Sequence, residues 1–240
     1  MKIELCDSYD QLSRKANDII IENLLQHKSL LFCAATGNSP TRMYEMLSKE
    51  YSNRSELFSQ IQVIKLDEWG GLPQNHSGTC ETYLQEYVIK PLKITEDRYV
   101  SFQSNALQPE KECERVQSEL EKRGPIDICI LGLGMNGHIA FNEPADFLQP
   151  NCHIARLSPQ SLQHSMVAGE DNKPQYGLTL GMADIMGSKL IILLINGVNK
   201  REITQSFLST KITTSLPASL LWLHPNVICL LDKEAIGDLK

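Results

Sequence analysis

The chain opens with a short apolar stretch, Ile3 to Leu5. Leu12, Ala16, Ile19, Ile20 and Leu24 then recur at helical spacing behind Asp7 and Ser8, either of which can cap a helix. Beyond this the pattern changes to four short runs that are apolar throughout, Leu30 to Ala34, Val63 to Leu66, Ile126 to Leu131 and Leu190 to Ile195, with Val227 to Leu231 as a fifth. Runs of this length predict strands buried on both faces. Helical spacing returns between them, at Met43, Met46 and Leu47, at Tyr83, Tyr87 and Val88, and at Ile203 and Phe207. Strands alternating with helices predict right-handed crossovers. The expected fold class is therefore α/β: a mostly parallel sheet with helices on both faces, Rossmann-like, with residues 1–240 forming a single domain. No internal repeat or low-complexity tract interrupts the pattern, and the polar stretch Gly169 to Gln175 is the expected loop or lid.

In such a sheet ligands sit beyond the carboxyl ends of the strands, so the loops there are where chemistry is expected. After the first buried run, Thr36-Gly37-Asn38-Ser39 leads into Pro40, a residue suited to the first position of a helix. Free backbone N–H groups and the helix dipole converge at such a turn and can hold an anion. The same residues also read as an ordinary strand-to-helix turn with Ser39 as N-cap. After the third run comes Leu131-Gly132-Leu133-Gly134-Met135-Asn136-Gly137-His138-Ile139-Ala140-Phe141-Asn142-Glu143-Pro144. Its glycines let the backbone turn sharply, His138 offers proton transfer near neutral pH, and Glu143 is placed to orient it. Asp67 ends the second run and is followed by Glu68 and Trp69. Facing the cleft and partly desolvated, it would become a general base near neutrality, although a strand-end Asp is often only a turn residue. Lys200 stands just after the fourth run and reads equally as a solvated lysine at a helix start.

A chain of 240 residues is long enough to bury a large core. A net charge of -6 gives no general attraction to nucleic acid or acidic membranes, so an anionic ligand must be held by a local pocket and the expected partner is a small molecule. The longest apolar run is far too short to span a bilayer. Seven cysteines, an odd number, include Cys33, Cys129 and Cys229 inside apolar runs, and no C-x-x-C pair occurs. With no signal-peptide pattern after Met1, this favours a reducing cytoplasm. Neither a metal nor a cofactor is called for: there is no H-E-x-x-H, and Gly132-Leu133-Gly134 lacks the third glycine of a dinucleotide fingerprint.

The three loops, taken with Gly78 to Tyr83, Tyr176 to Gly181 and Leu216 to His224, resemble the glucosamine-6-phosphate deaminase/isomerase superfamily, which also includes 6-phosphogluconolactonases. The resemblance covers nearly the whole chain and is strongest to the galactosamine-6-phosphate branch. It implies that Thr36, Gly37, Asn38 and Ser39 cradle a sugar phosphate with Lys200. It further implies that Asp67 moves a proton between C2 and C1, and that His138, hydrogen-bonded to Glu143, opens the pyranose ring; Glu68 is expected to be structural. One departure concerns Asn136, where the deaminases carry Asp. An amide cannot ionise, so it would support an imidazolium less and leave that work to Glu143. A phosphate-binding arginine of the family's lid has no clear counterpart, Arg156 and His164 being the nearest candidates. The reaction implied is galactosamine 6-phosphate to tagatose 6-phosphate and ammonia, without cofactor, by a protein for which a homo-oligomer is compatible. The rivals are glucosamine-6-phosphate deaminase, then 6-phosphogluconolactonase, which needs a histidine to activate water but no C2 base. A non-enzymatic sugar-phosphate sensor would need a basic helix-turn-helix module that the sequence does not show.

Overall fold

The computed structural model describes residues 1–27, 29–164, 166–167 and 173–237. In chain order its elements are β1 (Lys2–Cys6), α1 (Tyr9–Gln26), β2 (Leu31–Ala34), α2 (Asn38–Asn53), β3 (Gln62–Lys65), β4 (Asp67–Gly70), α3 (Cys80–Leu84), β5 (Tyr99–Val100), α4 (Pro109–Arg123), β6 (Ile128–Gly132), β7 (His153–Ala155), β8 (Tyr176–Thr179), α5 (Met182–Met186), β9 (Leu190–Ile195), α6 (Arg201–Leu208), β10 (Val227–Asp232) and α7 (Lys233–Ile236). Every apolar run read from the sequence lies in one seven-stranded sheet of order β1-β10-β9-β6-β2-β3-β5, parallel throughout. All six residues of β9 are buried, as a central parallel strand requires. In α1 the Ser8 hydroxyl accepts from the Gln11 N–H, and Leu12, Ala16, Ile20 and Leu24 form the stripe buried against the sheet. Each Leu or Ile fully buried in this way stabilises the fold by roughly 1.5–3 kcal/mol.

The order of strands decides where a ligand can enter. From β2 the chain crosses to β3 on one side, whereas from β6 it crosses to β9 on the other, and β2 and β6 are neighbours. The loops leaving their carboxyl ends therefore diverge and open a crevice between them. Those two loops carry Thr36 and His138.

A second sheet was not foreseen. Strands β4, β8 and β7 form a three-stranded antiparallel sheet, and Leu66 alone separates β3 from β4. The Leu66 N–H donates to Ala34 in the parallel sheet, while its carbonyl accepts from the Leu180 N–H just past β8. Asp67 thus begins a strand of the second sheet rather than ending one of the first. The helix α4 also went unnamed, because only Cys113, Val116 and Leu120 supply its apolar stripe among many charged residues. Of the stretch expected to act as a lid, residues 169–172 lie outside the described residues, and at its end the Gln175 N–H donates to the Gly70 carbonyl. None of the seven cysteines is in a disulfide, and among the described residues no helix is long and apolar enough to cross a membrane.

Candidate active site

A cleft of about 590 Å³ opens at the switch between β2 and β6. Thr36, Gly37, Asn38, Ser39, Asp67, His138 and Lys200 all line it, together with Trp69, Phe141, Ser161 and His164. Glu143 and Asn136 do not reach the cleft surface and stand behind His138, bonded to it. Arg156 is exposed and is not among the lining residues, whereas His164 is.

The loop after β2 is built to leave backbone donors free. Gly37 occupies the N-cap of α2 at φ 97, a left-handed conformation that suits glycine, and it provides no side-chain cap. The N-cap reading of Ser39 is corrected: Ser39 lies inside α2 and its hydroxyl donates to Asn196 Oδ1 at 2.6 Å, tying the loop to the end of β9. Pro40 is the third residue of the helix rather than its first, where its missing N–H still costs no hydrogen bond. The Gly37 carbonyl points away and accepts from the Thr41 and Tyr83 hydroxyls, both at 2.9 Å. Opposite, Lys200 Nζ donates to the Leu133 carbonyl at 2.6 Å, and burial pushes its pKa down to about 8. His164 Nδ1 accepts from the Met166 N–H at 3.3 Å, which places the proton of the neutral ring on Nε2. That edge lies over the loop, since a Cβ on Gly37 would be 3.5 Å from Nε2. Burial, with the charges of His138 and Lys200, lowers the pKa of His164.

Asp67 is 8 % exposed, and burial followed by the nearby Glu68 charge raises its pKa to about 7, with Lys65 and the Cys80 thiol acting in the opposite direction. The Cys80 thiol donates to Asp67 Oδ1 at 3.9 Å and accepts from the Thr36 hydroxyl at 3.4 Å, so it links Asp67 to the loop after β2. Glu68 faces away. Its carboxylate accepts from the backbone N–H groups of Trp69, Cys80 and Glu81, each at 2.8 Å, and from Lys65 Nζ at 2.7 Å. It thereby satisfies the first amides of α3, the structural part expected of it. Trp69 packs on Phe141 with ring centroids 4.4 Å apart, and both rings line the cleft with Asp67.

The loop after β6 brings His138 back against its own start. A Cβ at Gly134 would fall 2.2 Å from the imidazole, so only glycine leaves the ring room. His138 Nδ1 meets Glu143 Oε2 at 3.2 Å. Burial alone would raise the Glu143 pKa, but the His138 contact and hydrogen bonds from Ser161 and Asn136 hold it at about 2. Asn136 joins the two residues: its amide donates to Glu143 at 2.7 Å while its carbonyl accepts from the His138 N–H at 3.2 Å. Sequence reasoning gave no role to Cys80, Ser158 or Ser161. The only local signal was a pair of serines spaced i, i+3, which is common in turns.

Residues 7–229 match the model of the family described as glucosamine-6-phosphate isomerases/6-phosphogluconolactonase. The chain is 39% identical to the Escherichia coli (strain K12) protein named "Putative deaminase AgaI", over 96% of this chain and 91% of that one. It is 32% identical to a glucosamine-6-phosphate deaminase of Clostridium novyi (strain NT), over the full length of both. Among solved structures, a monomeric glucosamine-6-phosphate deaminase superposes with a TM-score of 0.93 at 32% identity, covering 98% of each chain. A 6-phosphogluconolactonase of Leishmania guyanensis shares the fold, with a TM-score of 0.81 at 18% identity over 100% of this chain and 98% of that one. The chain belongs to the glucosamine-6-phosphate isomerase/6-phosphogluconolactonase family.

Proposed function

We propose that the protein is an aldose-ketose isomerase/deaminase of hexosamine 6-phosphates that acts preferentially on galactosamine 6-phosphate. The observation that carries this reading is the presence, in one cleft, of a buried carboxylate at Asp67, an imidazole at His138 and an anion loop with Lys200. The phosphate is held by the amides of Gly37 to Ser39, by Lys200 and by the Nε2–H of His164. His138 takes the proton of the anomeric hydroxyl and returns it to the ring oxygen, opening the ring. Asp67 then removes the C2 proton and delivers it to C1 through an enolamine, leaving an imine at C2. Water adds there and ammonia leaves, giving the ketose 6-phosphate. Lactone hydrolysis would leave Asp67 without work.

The preference for galactosamine rests on resemblance to that branch, Asn136 included. A site shaped for one orientation of the C4 hydroxyl leaves buried groups unpaired with the other. Galactosamine 6-phosphate, glucosamine 6-phosphate and 6-phosphogluconolactone assayed for ammonia, ketose and acid test both levels. The expected result is ammonia and ketose, with the highest kcat/KM on galactosamine 6-phosphate. A higher value on glucosamine 6-phosphate overturns the epimer, and acid from the lactone alone overturns the reaction.

The two shifted groups also fix a pH profile. Asp67 works only when ionised, so kcat/KM should rise through about 7, and Lys200 binds phosphate only when protonated, so it should fall through about 8. A narrow bell is expected, and Lys200→Met should remove its alkaline limb while raising KM. A profile flat from about pH 6 to about pH 9 would contradict both assignments.

A further inference from the structure

Four side chains behind His138 form a closed ring of hydrogen bonds with only one consistent direction. The carbonyl of Asn136 is committed to the His138 N–H at 3.2 Å, so the amide cannot flip, and both its hydrogens must be given away. One goes to Glu143 Oε2 at 2.7 Å and the other to Ser158 Oγ at 3.2 Å. The Ser158 oxygen also receives the Ser161 N–H at 3.1 Å, so its own hydrogen turns to Ser161 Oγ at 3.0 Å. The Ser161 hydrogen in turn goes to Glu143 Oε1, which the Ser158 N–H also reaches at 3.3 Å. Glu143 is thus surrounded by donors and is left to accept the remaining one, Nδ1–H of His138. Ser161 Oγ stands 3.3 Å from the same nitrogen, on a residue that is 3 % exposed at the wall of the cleft.

We propose that Ser158 and Ser161 are positioning residues for ring opening, forming with Asn136 a one-way chain of donors that holds Glu143 as a pure acceptor toward His138 Nδ1, so that the Nε2 lone pair faces the sugar. The inference rests on the reading of His138 as the ring-opening group. It also gives the amide at position 136 a positive reason: a carboxylate there could donate to neither Glu143 nor Ser158, and would set two carboxylates about 2.7 Å apart that can coexist only by sharing a proton. Asn136, Ser158 and Ser161 are therefore a matched set, two of them delivered by the segment between β7 and β8 that packs against the His138 loop.

The test uses the full-length protein with Ser161→Ala, Ser161→Thr, Asn136→Asp and, as a reference, His138→Gln. Each is assayed on the ring-closed hexosamine 6-phosphate and on an analogue lacking the C4 and C5 hydroxyls, which cannot close a ring, and the His138 tautomer is read from its ring nitrogen NMR shifts. For Ser161→Ala we expect turnover on the closed substrate to fall by roughly tenfold or more, the loss of one oriented hydrogen bond to a charged group, with the analogue nearly unaffected. The tautomer should pass from Nδ1–H to a mixture, and Ser161→Thr, which keeps the hydroxyl, should restore both. Asn136→Asp should behave as Ser161→Ala does and covers the case in which the alanine variant does not fold. Equal losses on both substrates, or an unchanged tautomer with unchanged turnover in either variant, would overturn the proposal. If His138→Gln itself spares the closed substrate, the ring-opening reading fails first, and the inference with it.

Discussion

Asp67→Asn is expected to reduce exchange of the C2 hydrogen with solvent by a hundredfold or more, the scale of a lost general base, while sugar-phosphate affinity stays within a few fold. The amide has the shape of the carboxylate and can still accept from the Cys80 thiol through its oxygen, so the wall of the cleft should survive the change. What disappears is the basic oxygen. Burial raises the Asp67 pKa to about 7, which makes the carboxylate a far stronger base than a solvated aspartate while leaving much of it ionised at neutral pH. Deuterium incorporation at C2, followed by NMR beside calorimetric binding of the substrate, separates the two effects. Exchange at the parent rate in the variant would remove Asp67 from the mechanism.

Lys65→Met should be the most destabilising single change near the site, at about 3–5 kcal/mol, because it strands carboxylates that the fold has taken out of water. Lys65 is fully buried and bonds Glu68 and Glu81 at 2.7 Å each, the first of them also fully buried. Burial would lower the pKa of Lys65, but the two carboxylates more than offset it and hold the amine charged. Methionine fills much the same space, so lost packing explains little of the expected cost. Urea unfolding of the two proteins measures it, and a difference below about 1 kcal/mol would mean that Glu68 finds enough donors in the backbone of α3 alone. The surviving protein should also show the acid limb of kcat/KM moved upward, since Lys65 is one of the groups that holds the Asp67 pKa down.

The parallel sheet was legible because burial on both faces leaves an unmistakable trace: Leu190 to Ile195 carries no polar residue at all. The small sheet left none. Its strands read Asp-Glu-Trp-Gly, His-Ile-Ala and Tyr-Gly-Leu-Thr, too short for alternation to appear, and the first pairs with the last across more than a hundred residues of chain, Asp67 against Thr179. Asp67, His138 and Lys200 could be picked out because each follows closely on an apolar run, the last two on loops marked by glycines. Ser161 and Cys80 could not, because a hydroxyl or thiol gains its meaning only from the group it faces, and no local periodicity ties Cys80 to Asp67 or Ser161 to Glu143, 13 and 18 residues away. Asn136 shows the limit most sharply. Its identity was plain, but whether it donates or accepts depended on the His138 N–H fixing one end of the amide.

Among the described residues the outer strand β1 pairs only with β10, Lys2 against Ile228 through Cys6 against Asp232. On the ribosome this means that β1 must wait for a strand made more than two hundred residues later. Until Val227 to Asp232 appear, β9 also lacks its partner on that side and exposes a fully apolar edge. Contacts so distant along the chain are the slowest to form, and the unpaired edge is a site for aggregation in the interval. The half of the sheet that closes the structure is therefore also where a nascent chain most needs protection during synthesis.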